Sequence, residues 1–100
     1  MKKIRLAPPG ELLLKEFIEP NNLSVYRVAK DSGVSQPTLQ MIVTGKRSIS
    51  AETALRLGLY FGIDAQFWVN LQAEYDLRVA KGNKFKKIER EVRPLALRAA

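Results

Sequence analysis

Between Ser32 and Ala51 the chain carries no acidic side chain, and that window holds Ser35, Gln36, Pro37, Thr38, Gln40, Met41, Thr44, Lys46 and Arg47. Carboxamides, hydroxyls, compact apolar groups and two cations are the chemistry that meets a polyanion displaying donor and acceptor edges. Gln36 is the sharpest of them. A glutamine near the start of a helix can pair with adenine through both amide atoms, a contact worth roughly 1–3 kcal/mol of discrimination; a solvated glutamine with no partner is the alternative. Thr38, Gln40 and Thr44 fit phosphate contact and plain solvation equally. Lys46 and Arg47 follow a helix end, where cations often only complement the dipole, but their acid-free surroundings favour phosphate. Upstream, Ser24, Arg27 and Lys30 are further candidates for the phosphate backbone, with solvation again the alternative. A second basic stretch sets Lys81, Lys84, Lys86, Lys87, Arg90 and Arg93 against only Glu89 and Glu91.

Other chemistries have little to stand on. The 100 residues include no cysteine and no histidine, which removes disulfides, thiolate and imidazole catalysis and nearly every zinc site built on nitrogen or sulfur. Glu11, Glu16, Asp31, Glu52 and Asp64 are scattered over caps and exposed faces with no glycine-rich phosphate loop beside them, so neither an enzyme nor a metal or other cofactor is expected. A formal charge of +7 favours an acidic partner, most commonly nucleic acid. Met1 to Leu14 is broken by Pro8, Pro9 and Glu11 and makes no signal core, and no apolar run approaches membrane-spanning length; a cytoplasmic protein without a membrane partner is the expectation. One compact domain fits this length, and its modest core makes self-association plausible.

The elements that must position these groups are helical. Proline is tolerated in a first turn, so Pro9 to Glu19 reads as a helix carrying Leu13, Leu14 and Phe17 inward, ended by Pro20 and turned by Asn21 and Asn22. Ser24 caps a second helix with Val25, Val28 and Ala29 on its buried face, and Gly33 closes it in the left-handed conformation. Ser35 caps a third with Pro37 in its first turn and Leu39 and Ile42 inward, and Gly45 ends it. Ser50 opens a fourth, in which Ala54, Leu55, Leu57 and Gly58 include the packed positions and Gly62 is the terminator. Asp64 caps a fifth, where Phe67, Trp68, Leu71 and Tyr75 follow a three-and-four spacing; that register makes Trp68 and Tyr75 core, not a stacking platform for single strands. Gly82 and Asn83 are expected to break this helix after about Ala80. Beyond them Phe85, Ile88, Val92 and Leu95 either line a helix or give way to an extended segment over Val92 to Leu97, with Pro94 opposing one continuous helix. The fold class is all-α, with a first unit over 1–80 and a basic extension over 81–100 that serves dimerisation or is disordered.

The unit Ser24 to Arg47, SVYRVAKDSGVSQPTLQMIVTGKR, thus reads as two short helices joined by a tight turn, with Ala29 small enough for a close crossing and Val34, Leu39 and Ile42 anchoring the second helix. It resembles the phage-repressor-like helix-turn-helix proteins. Together with the opening PPGELLLKEFIEP and the block AQFWVNLQAEYDLRVA, the likeness runs from about Pro8 to Ala80 and is similar, within that family, to the HigA-type antitoxins of bacterial toxin–antitoxin pairs. The resemblance implies a five-helix protein that binds a palindromic operator as a homodimer, represses its own operon and neutralises a HigB-type toxin that cleaves messenger RNA. It puts Gln36, Pro37 and Met41 at the base-facing positions, with Ser35, Thr38, Gln40, Thr44, Lys46 and Arg47 nearby. Pro37 and Met41 cannot supply paired hydrogen bonds, so apolar contact and DNA shape would share the readout. A solitary transcription regulator without a toxin would carry the same residues, and a protein-interaction module without DNA binding is the reading from another class.

Overall fold

The computed structural model describes residues 6–96; Met1–Arg5 and Leu97, on which parts of the reading above fall, lie outside them. Among the described residues five helices follow one another without a strand: α1 Pro9–Leu12, α2 Val25–Ser32, α3 Gln36–Val43, α4 Ala51–Phe61 and α5 Ala65–Glu91. The serines before α2, α3 and α4 cap them as their positions require. Ser24 accepts from the Arg27 amide, Ser35 from Thr38 and Ser50 from Thr53, each satisfying one of the unpaired amides at a helix start. Asp64 does the same for α5 through the Gln66 amide.

The first helix is less regular than its sequence suggests. α1 passes directly into a π-helical stretch, Leu13–Ile18, and then a 3₁₀ turn, Glu19–Asn21. Leu13 and Ile18, five residues apart, are both fully buried. In a regular α-helix such a pair would diverge by about 140° round the axis; wider i→i+5 winding brings both onto the core side. Pro20 then has no amide to continue the ladder, and the Asn21 side chain satisfies the Phe17 carbonyl at 2.7 Å.

The core gathers Leu13, Ile18, Val28, Ala29, Val34, Leu39, Ile42, Ala54, Leu57 and Trp68. Trp68 is enclosed by aromatic rings, with Phe17 at 4.9 Å and Phe67 edge-on at 5.0 Å between centroids. Gly10 sits where α1 crosses the end of α3: a Cβ built there would lie 1.6 Å from the Ile42 carbonyl oxygen, so no other residue fits without moving a helix. Leu55, expected to pack, faces solvent instead, because α4 turns only its Thr53, Ala54, Leu57 and Gly58 side inward. Phe67 is likewise partly exposed although it shares the Trp68 stripe.

The largest departure lies in α5, which does not stop at Gly82 and Asn83 but continues to Glu91. Burial ends at Ala80; from Lys81 to Ala96 every residue is exposed. Glycine lowers helix propensity by only about 1 kcal/mol, and lysines, arginine and glutamates on either side, with a Lys87–Glu91 ion pair at 3.8 Å, favour continuation. The helix ends at Val92 in an extended conformation, two residues before Pro94, whose ring would strike the carbonyl one turn back. The exposed rod gives a radius of gyration of 17.2 Å, against roughly 13 Å for a compact chain of this length. No described helix is both long enough and apolar enough to cross a membrane.

Candidate nucleic-acid interface

α3 is held from beneath and left bare above. Leu39, Ile42 and Val43 are buried, whereas Gln36, Pro37, Gln40, Met41 and Thr44 are exposed and Thr38 is half-buried. The bend that aims it depends on Gly33, whose φ of +81° is a conformation that a side chain would strain. From α4, Arg56 reaches back to the Ser32 carbonyl at 3.3 Å and ties the turn to the body. A Cβ on Gly33 would also press on that guanidinium, at 2.5 Å from Nη1.

The hydroxyls of this surface differ in what they have left to give. Ser35 donates to Thr38 in one hydrogen bond of 2.8 Å, so of their two hydroxyl hydrogens one makes this contact and the other remains for an outside acceptor. Thr44 is folded back on its own helix, with the Gln40 carbonyl at 2.9 Å, and must rotate away before it can donate to phosphate. Ser24, by contrast, only accepts, from the Arg27 amide at 3.0 Å, and keeps its hydroxyl hydrogen to donate. Arg27 pairs with Asp31 at 2.6 Å; that hydrogen bond, the Asp31 charge and then Tyr60 hold its guanidinium more firmly protonated than usual. Its charge is thus largely answered within α2, unlike the exposed Lys30 one residue before Asp31.

Two shallow hollows flank the start of α3. Ser35, Thr38 and Arg47 line one together with Glu52 and Arg56, and Lys30 and Gln36 line the other with Tyr26. The structure therefore brings Arg47 beside the Ser35–Thr38 pair, and Arg47 with Lys46 also lines a second cleft shared with Gln72 and Asp76. Sequence reasoning passed over Tyr26 and Arg56. Tyr26 stands exposed one turn before Lys30, and its signal was a large amphipathic side chain on the polar side of α2. Arg56 had no local signal, because its place beside the turn depends on how α4 packs.

A family model described as helix-turn-helix matches residues 14–68 of this chain. The antitoxin HigA of Pseudomonas aeruginosa, solved with the higBA promoter, is 46% identical and superposes with a TM-score of 0.86 over 91% of this chain and 99% of that one. Virulence-associated protein I of Dichelobacter nodosus is 47% identical over 76% of this chain and 70% of its own length. Antitoxin HigA-1 of Vibrio cholerae is 30% identical over 95% of this chain and 90% of that protein. By sequence and by fold, the chain belongs to the non-enzymatic helix-turn-helix family and, within it, to the HigA-type antitoxins.

Proposed function

We propose that this protein binds its operator as a homodimer through α3 and the residues that follow it, represses its own operon and neutralises a HigB-type mRNA-cleaving toxin from the cytoplasm of a bacterium. The observation that carries the reading is the exposed face of Gln36, Pro37, Gln40 and Met41, free of acid and continued by Lys46 and Arg47, in a chain 46% identical to an antitoxin solved with promoter DNA. Gln36 reads a base edge, Pro37 and Met41 make apolar contact, and Lys46 and Arg47 with the Ser35–Thr38 pair hold phosphates. Self-association uses the end of α5, where Phe85, Ile88 and Val92 recur at three-and-four spacing and are about half exposed in the single chain. Basic side chains around them keep the rod soluble and add to the field that attracts DNA.

Gel-shift titration tests the DNA-binding part: the duplex upstream of the protein's own gene against a scrambled competitor at two salt concentrations. Selective binding that persists at the higher salt is expected; equal binding to both duplexes sinks it. Co-expression tests the toxin-binding part, with a neighbouring gene for a basic protein of about 90 residues as the candidate toxin. Rescue of growth by this chain is the expected outcome. Selective operator binding with no adjacent toxin gene would leave a solitary regulator.

A further inference from the structure

Gln72 is a polar side chain buried in α5 and engaged at both ends of its amide. Its Oε1 accepts from the Ile49 amide at 2.9 Å, and its Nε2 donates to Asp76 Oδ1 at 2.8 Å. The orientation follows from the partners: a carboxylate only accepts and a backbone N–H only donates, so turning the amide over would break both bonds. Asp76 therefore aims the Gln72 carbonyl at the segment between α3 and α4. That segment carries Lys46 and Arg47. Its start is fixed by the Lys46 amide bonding back to the Met41 carbonyl at 2.8 Å, and its end by the Ser50 cap of α4. Ile49, with its side chain buried, is where α5 takes hold of the stretch between. Lys46, Arg47, Gln72 and Asp76 line one cleft.

We infer that Gln72, aimed by Asp76, is a positioning residue for DNA binding, clamping the Gly45–Ser50 segment so that Lys46 and Arg47 are presented to phosphates. The inference rests on the reading of Lys46 and Arg47 given above. It makes α5, which also carries the exposed stripe, a direct support of the DNA-facing surface.

The test measures Kd for the duplex upstream of the protein's own gene, with the full chain, for Gln72→Leu alone, Lys46→Ala with Arg47→Ala, and all three together. Gln72→Leu leaves the buried Ile49 amide without a partner and should raise Kd about tenfold. In the Lys46→Ala, Arg47→Ala background it should add nothing, because the groups it positions are gone. An equal loss in both backgrounds means a general weakening of the fold and overturns the clamp. No loss from Gln72→Leu, where the double alanine variant does lose affinity, overturns the clamp alone; no loss from the double alanine variant overturns the phosphate reading and the clamp with it. The exposed Asp76 supplies a second route that spares folding. Asp76→Ala and Asp76→Asn remove the same formal charge, which by itself strengthens binding to DNA, but only asparagine keeps an oxygen for Gln72 Nε2. Weaker binding by Asp76→Ala than by Asp76→Asn, several-fold, is expected; equal Kd values for the two overturn it.

Discussion

On the proposed reading, Gln36 and the pair Lys46 and Arg47 face the same partner but answer different questions about it. A carboxamide matched to one base edge contributes to the difference between sequences, whereas a cation beside a phosphate contributes equally to all of them. Replacing Gln36 with alanine should therefore flatten preference at one base pair in each half-site, by roughly 1–3 kcal/mol in a competition against operators varied at each position. Lys46→Ala with Arg47→Ala should weaken binding to every duplex and lower the slope of log K against log salt by about 2. An unchanged base preference after Gln36→Ala would remove it from the reading surface, and an unchanged salt slope would remove the cations. The structure sharpens the hydroxyls also. Thr44, bonded to its own helix, is a weaker candidate for phosphate than the Ser35–Thr38 pair, which keeps one hydrogen to give.

At the scale of the helices, two glycines make opposite demands. Gly10 lies against the backbone of α3, with 1.6 Å between a built Cβ and the Ile42 oxygen, while Gly82 has nothing within 4 Å and lies inside a helix. The same change to alanine should act with opposite signs. Gly10→Ala should destabilise the fold by about 1–3 kcal/mol or more, since overpacking forces α1 off α3. Gly82→Ala should stabilise α5 by roughly 0.5–1 kcal/mol and raise helical circular dichroism. Urea titrations of the two variants check the pair. A Gly82→Ala protein that loses helicity would restore the break that the sequence suggests there.

Over the whole molecule, the distance between the exposed face of α3 and the end of α5 matters. The helix of 27 residues is about 40 Å long at 1.5 Å per residue, and its far end carries Phe85, Ile88 and Val92 around the axis from lysines and arginine. If two copies join through this stripe, their α3 helices can address half-sites roughly 34–36 Å apart on one face of the duplex. Phe85→Glu with Ile88→Glu should then shift the protein from dimer to monomer in sedimentation and make operator binding weaker and non-cooperative, with the fold of residues 6–80 preserved. A dimer that survives both substitutions places the interface elsewhere on the molecule.

The helix-turn-helix unit was legible in the amino acids because what builds it is local. Ser24, Ser35 and Ser50 cap the helices that start beside them, Gly33 bends the chain where it stands, and Leu39 and Ile42 recur within one turn; each such constraint spans four residues or fewer. The same short range misled the reading of α5: Gly82 and Asn83 are locally unfavourable, but their cost is small against the charged helix formers around them. What only the tertiary structure decided joins residues far apart in sequence. The Ile49–Gln72 and Ser32–Arg56 hydrogen bonds cross 23 and 24 positions, and the space denied to any side chain at Gly10 is set by Ile42. Leu55 faces water because α4 has one side to bury and the other residues fill it. Local hydrogen bonding chooses the helices, but which face of each is buried, and which buried amide meets the segment between α3 and α4, follows from how the helices pack.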